Sequence, residues 1–178
     1  MKIINKISFI YGEIALAKAD VIVNAANGCG YMGGQRCRRK LYRGVAEHIN
    51  YYSRGHAERE ALSAARKIPY IPSWLFGYNA GDFFVTGSCG LNCRKIVHAV
   101  TMRYPGSRSN INAVEKVIEK VLQYCYDSGF KSIAIPCLGC GNGGLNKDKI
   151  IDIIKSMAKR YRELDITIYL LHNSDEED

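Results

Sequence analysis

The chain has little that would divide it. It holds four prolines in 178 residues, no proline-rich linker, no internal repeat and no charge run long enough to split it, so one domain spanning 1–178 is expected. It also lacks a long apolar run. Lys2 and Lys6 are followed by a short apolar patch that Gly12 and Glu13 interrupt, which makes neither an export signal nor a membrane span. With seven cysteines, an odd count, and no such signal ahead of them, free thiols in a reducing cytoplasm are the expectation. Cys137-x-x-Cys140 has the spacing of a zinc knuckle, and Cys89 with Cys93 could supply a second pair. Yet Cys137 should end a strand, Cys140 sits in a glycine loop whose backbone is wanted, and no cluster of cysteine with histidine is found. Neither a metal nor a cofactor is expected.

What is present suits a full core. At 47% hydrophobic the chain needs no staples. Strands are predicted at 3–9, 21–24, 83–86, 95–100, 132–136 and 166–171. Several are nearly all apolar, which means burial on both faces and helices on both sides. Ile111, Val114, Val117, Ile118, Val121, Leu122 and Cys125 mark one face of a helix, with Ser109 or Asn110 as its cap. Ile150, Ile153, Ile154, Met157, Ala158 and Tyr161 mark a second. The stretch 45–67 reads as helix broken near Arg54-Gly55. The segment 69–81, with the lone Trp74, is a long connection with no role legible in its residues. Strand–helix alternation with short loops predicts an α/β fold, a three-layer α/β/α sandwich with a central mixed sheet.

Two motifs carry chemistry. Val21-Ile22-Val23 runs into Asn24-Ala25-Ala26-Asn27 and then into the glycine-studded Gly28-Cys29-Gly30-Tyr31-Met32-Gly33-Gly34. A buried strand that delivers carboxamides to its C-terminal end before a flexible loop is how open α/β sheets build ligand sites. Each amide offers two donors and an acceptor without charge, which suits sugar hydroxyls. Far downstream, Ile133-Ala134-Ile135-Pro136 runs into Cys137-Leu138-Gly139-Cys140-Gly141-Asn142-Gly143-Gly144-Leu145, ahead of a helical pattern beginning near Asn146. Four glycines in the six residues 139–144 leave backbone N–H groups to face an anion where a helix adds its partial positive charge. Neither run matches the dinucleotide or P-loop patterns, so phosphate would be held by backbone without a lysine clamp.

Together with Gly12-Glu13-Ile14, Gly44-Val45-Ala46-Glu47-His48-Ile49, Phe84-Val85-Thr86-Gly87 and Ile96-Val97-His98-Ala99-Val100, these segments resemble the macro domain family of ADP-ribose-binding modules, in the family's order and over nearly the whole chain. The resemblance implies the same three-layer fold and a set of roles. Glu13 falls where an aspartate accepts from the adenine amine, with Ile14 beside the ring. Asn27 falls against the distal ribose and is the candidate catalytic residue, whereas Asn24 matches the first motif asparagine, which more often supports the loop. Gly44, Val45 and Ala46 would form the first diphosphate loop. Gly139, Cys140, Gly141, Asn142, Gly143, Gly144 and Leu145 would form the second, and Asn173 would border the adenine. His98, ending an apolar strand, is expected to be hydrogen-bonded structure.

Lys and Arg outnumber Asp and Glu by 25 to 17, a net charge of +8 that attracts polyanions. Arg36, Arg38, Arg39, Lys40 and Arg43 lie in about nine residues (35–43) that look inserted relative to the family. The insertion reads either as a solvated loop or as an overhang that contacts phosphates and bases of whatever the distal ribose carries. Residues 174–178 read as an acidic tail. The resemblance further implies hydrolysis of ADP-ribose from a modified protein or nucleic acid. The alternatives are a reader without turnover and a basic nucleic-acid-binding module. Many hydrolytic members carry Asp where this chain has Ala46 before Glu47, and the lysine that DNA-directed members use after the fourth strand is replaced by Thr101-Met102-Arg103. Methionine is no nucleophile and arginine stays protonated, so a lysine-type mechanism is not expected.

Overall fold

A computed structural model describes residues 6–34 and 44–171. Strand β1 (Ile7–Tyr11) leads through a 3₁₀ turn (Ile14–Leu16) to β2 (Val21–Asn27). Helices α1 (Val45–Tyr52) and α2 (His56–Ala64) and the single-turn α3 (Ser73–Phe76) precede β3 (Phe83–Thr86) and β4 (Lys95–Met102). The chain continues through α4 (Ile111–Asp127), β5 (Ser132–Pro136), α5 (Lys147–Ala158) and β6 (Asp165–Leu170). The six strands form one sheet in the order β1-β6-β5-β2-β4-β3, parallel throughout except where β3 runs antiparallel to β4. Among the described residues no helix is long and apolar enough to cross a membrane.

Side-chain alternation assigns the layers. Val21 and Val23 face a core built with α4 and α5, while Ile22 between them joins α1, α2 and the 3₁₀ turn on the other face. Covered on both sides, the central strands have no use for a polar face, which is why they read as unbroken apolar runs. The α4 stripe is fully buried from Val114 to Cys125, and each such aliphatic side chain contributes about 1.5–3 kcal/mol on leaving water. Of the two candidate caps it is Asn110 that serves, accepting from Asn112 N at 2.9 Å and Ala113 N at 3.3 Å. The break between α1 and α2 falls at Arg54 and Gly55, both in the left-handed region with φ of 54° and 83°.

Three strands run two residues or more past the end expected from sequence. β1 extends to Tyr11, because its parallel ladder with β6 runs on through Tyr11 opposite Leu170. β2 continues past Asn24 to Asn27, and β4 past Val100 to Met102. The cause is a polar pair inside the ladder. Asn24 lies opposite His98, both fully buried, and Asn24 Nδ2 stands 3.1 Å from His98 Nδ1. Polar side chains that usually mark a strand's end hydrogen-bond each other here, so pairing proceeds beyond them.

Candidate ligand-binding site

The carboxyl ends of β2, β4, β5 and β6 open onto one cavity of about 390 Å³, within the ~300–1,000 Å³ of small-molecule sites. It sits outside the C-terminal edge of the sheet where the strand order reverses about β2, the place an open α/β sheet leaves free for ligand. Ala25 to Asn27 form part of the wall, Tyr169 to Leu171 another, and two runs of backbone approach from the opposite helical layers.

The first run is the start of α1. Gly44 is its N-cap and supplies no capping side chain, so the N–H groups of Val45 and Ala46 stand at an open helix end beside the cavity. The second is the loop after β5. Cys140 N–H donates to Cys137 O, Gly144 N–H to Gly141 O and Leu145 N–H to Gly139 O. Those bonds fold the loop and leave the N–H groups of Gly141, Asn142 and Gly143 without an acceptor among the described residues. Gly143 cannot be larger, since a Cβ there would lie 2.3 Å from Ser109 Oγ and 2.5 Å from Gly139 O. Gly139, Cys140 and Leu145 line the cavity too, while Gly144 does not and serves as the left-handed turn (φ 73°) into α5. Unpaired N–H groups at a helix start and in a glycine loop, on residues that line one cavity, are the kind of donor set that suits an anion with two phosphates or more.

Asn27 is in the wall, but its carboxamide is held by its own loop. Oδ1 accepts from Cys29 N (3.1 Å) and Tyr31 N (3.2 Å), and Nδ2 donates to Tyr31 O (2.7 Å). Other groups clamp the same loop. Glu58 Oε1 accepts from Met32 N and Gly34 N, and its Oε2 accepts from Asn50 Nδ2. Ser73 Oγ donates to Cys29 O, and Tyr78 N donates to Gly28 O at 3.0 Å. That backbone approach is so close that a Cβ on Gly28 would collide with Tyr78 O. The connection 69–81 is thus the outer brace of the loop. Arg103 secures it, donating to Ser73 O and Trp74 O while its guanidinium packs over Tyr104 at 4.7 Å. Asn50, Glu58 and Ser73 carried no signal in the sequence, where each reads as an ordinary surface polar residue, and Arg103 drew notice only as unable to replace a catalytic lysine.

Several expected site residues are elsewhere. Asn24 does not line the cavity: it is wholly buried, paired to His98, and positions β2 rather than ligand. Glu13 and Ile14 also stand outside the wall. Ile14 is 1% exposed, drawn by the 3₁₀ turn into the core with Ile49 and Ala57, and Glu13 begins that turn with its carboxylate acting on His48 of α1. Leu171 and Tyr169 supply the wall on that side. Glu47, in the first turn of α1, lines the cavity. Asn173, the bases Arg36, Arg38, Arg39 and Lys40, and the acidic tail lie outside the described residues.

His98 belongs to the scaffold. Its Nε2 lies 2.9 Å from Thr86 Oγ1 and its ring stacks on Phe84 at 4.6 Å, and burial lowers its pKa to about 3. The imidazole is therefore neutral, with Nδ1 accepting from Asn24 and Nε2–H donating to Thr86. The cysteine pairs are apart: Cys89 and Cys93 pack against one face of the sheet, Cys137 and Cys140 against the other. Among the described residues no group of three or more histidine, cysteine or acidic side chains is gathered to hold a metal.

The Macro domain profile matches residues 23–154, which include both loops and the start of α1. The chain belongs to the macro domain family. This macro domain is 30% identical over 171 residues to an uncharacterized protein of Aquifex aeolicus, covering 96% of this chain and 92% of the relative. It is 25% identical over 160 residues to an O-acetyl-ADP-ribose deacetylase of Enterobacter cloacae, covering 89% and 80%. In structure it resembles a Trypanosoma brucei macrodomain crystallised in complex with ADP-ribose, with a TM-score of 0.71 and 22% sequence identity, over 96% of this chain and 66% of that one.

Proposed function

We propose that this macro domain binds ADP-ribose in the cavity and hydrolyses the bond joining it to a modified macromolecule. The supporting observation is the pair of backbone runs, α1's open N-terminus and the unpaired N–H groups of Gly141, Asn142 and Gly143, facing one cavity. They suit a diphosphate without a cationic clamp. The names of the relatives point to the same ligand class.

In this reading Asn27 acts by holding the loop 28–34 in shape beside the distal ribose. Water attacks the anomeric carbon, the bond to the acceptor oxygen or nitrogen breaks, and a proton passes to the leaving group. Rate comes from positioning and from backbone dipoles aimed at the phosphates rather than from a strong base. Glu47 is the acidic side chain in the cavity wall. Arg36, Arg38, Arg39 and Lys40 would contact the phosphates or acidic groups of the acceptor.

A second reading, a reader without turnover, is favoured by the Asn27 carboxamide being held by three bonds to its own loop. Calorimetric titration with ADP-ribose, AMP, ADP and NAD tests the ligand, with a micromolar response to ADP-ribose alone as the expected result. Single-turnover release from ADP-ribosylated protein, and separately from ADP-ribosylated DNA, tests the reaction. Binding without release from either leaves the reader.

A further inference from the structure

Two thiols in the cavity wall are not used by the function proposed above. Cys137 follows β5 directly and Cys140 follows three residues later, both half-buried and both lining the cavity. Cys140 N–H donates to Cys137 O at 3.2 Å, which closes a β-turn over 137–140, and Gly139 holds its third position at φ 77°. A turn of this kind keeps its end Cα atoms within about 7 Å, and a disulfide needs them about 4.4–6.8 Å apart. The two thiols influence each other's ionisation, and Cys140 Sγ donates to Leu138 O at 3.7 Å.

We propose that Cys137 and Cys140 are an oxidation site that closes to an intramolecular disulfide when a peroxide enters the cavity, and that the closed form holds ligand less well. The second half rests on the ADP-ribose reading of the cavity.

The thiols differ in a way that assigns their parts. The hydrogen bond from Cys140 lowers the pKa of Cys137; burial and Asp148 oppose this, and Lys147 at the start of α5 assists it. The same bond raises that of Cys140. Cys137 is thus the attacking thiolate and Cys140 the resolving thiol. Burial instead pushes Cys89 and Cys93 up to about 11 and Cys125 to about 12, which leaves them unreactive. Cys137 Sγ attacks a peroxide oxygen, the O–O bond breaks and hydroxide leaves, giving a sulfenic acid. Cys140 Sγ then attacks that sulfur, the S–O bond breaks, and water leaves with the Cys140 proton. Two thiols are oxidised by two electrons in all, and the peroxide is reduced to two waters.

Closure draws the two sulfurs together to the ~2.05 Å of a bond. Cys140 moves toward β5 and takes with it the N–H groups of Gly141, Asn142 and Gly143 that face the cavity. A displacement of that size misaligns them from a bound anion.

The test uses the full chain, fully reduced and then exposed to hydrogen peroxide. Tryptic peptide 132–147 holds both cysteines and no others. It is expected to lose two hydrogen atoms before any other cysteine reacts, and more slowly with ADP-ribose bound. ADP-ribose affinity should fall at least tenfold on oxidation and return with dithiothreitol. Cys140→Ser should stop at a Cys137 sulfenic acid that dimedone traps. An unlinked peptide 132–147 after the other thiols have oxidised overturns the proposal, as does a linked one that binds ADP-ribose within twofold of the reduced protein. If the reduced protein does not bind ADP-ribose, that reading of the cavity fails by itself, and the peptide and dimedone results still decide the oxidation site.

Discussion

Replacing Asn27 by alanine removes three hydrogen bonds at once. Two are accepted by Oδ1, from Cys29 N and Tyr31 N, and the third is donated by Nδ2 to Tyr31 O. Residues 31–33 form part of the cavity wall, so the loop cannot relax without changing the site. At about 0.5–1.5 kcal/mol net for each bond, the variant should lose roughly 2–4 kcal/mol. A domain of this size then melts about 4–16 °C lower, and the lower figure applies if the loop opens locally and Glu58 and Ser73 retain its flanks. Affinity for ADP-ribose should fall at least tenfold, and release of ADP-ribose in a single turnover by more, because the distal ribose is presented to a loop without a fixed shape.

The alternative is a carboxamide that acts on ligand alone. It predicts an unchanged melting temperature, nearly unchanged affinity and a large loss of turnover. Asn27→Asp separates the two further. Its carboxylate keeps both acceptor bonds but faces Tyr31 O with a second acceptor, so most of the stability should return while the loop stays strained at Tyr31. Differential scanning calorimetry, isothermal titration and single-turnover release on the three proteins decide it. An alanine variant as stable as the parent would refute the loop-holding role.

Gly141→Val should fold normally, because a Cβ at this position meets nothing within 4 Å, yet it should abolish ADP-ribose binding by filling the approach to three N–H groups; circular dichroism with titration checks both. Changing Arg36, Arg38, Arg39 and Lys40 together to serine should leave affinity for free ADP-ribose within about threefold, ~0.7 kcal/mol, while binding to a modified macromolecule weakens further and loses salt dependence. For His98 the depressed pKa sets a sign. The unfolded chain takes up a proton below about 6.5 and the fold does not until about 3, so stability is full above 6.5 and falls as pH drops through that window, by about 1.4 kcal/mol per pH unit at most. His98→Gln should flatten the acid limb of urea-denaturation stability by one proton; an unchanged slope would place the acid sensitivity elsewhere.

The sequence showed the architecture because its layers impose visible periods. Strands buried on both faces read as apolar runs, and α4 and α5 read as apolar stripes, since each pattern follows from one chain segment and the water it avoids. The ends of β2 and β4 were hidden for a related reason. Asn24 and His98 look like boundaries only if each must find its own partner. They partner each other 74 residues apart, which no local pattern discloses.

The site divides the same way. Backbone donors were legible through glycine, because only glycine permits the close approach of Gly143 to Ser109 or of Gly28 to Tyr78. The groups that hold those loops in place were not. Glu58 on α2 reads as a solvent-facing helix carboxylate, yet it receives two N–H groups from residues 24 and 26 positions earlier. The braces at 69–81 meet main-chain carbonyls, those of Gly28 and Cys29 in the loop and those of Ser73 and Trp74 under Arg103, and carbonyls leave no mark in side-chain identity. Glu13 and Ile14 were assigned by resemblance rather than by any physical pattern, and neither lines the cavity. Backbone sites advertise themselves through the residues that must be small. Their supports depend on where distant segments meet, and that becomes readable only once the layers are stacked.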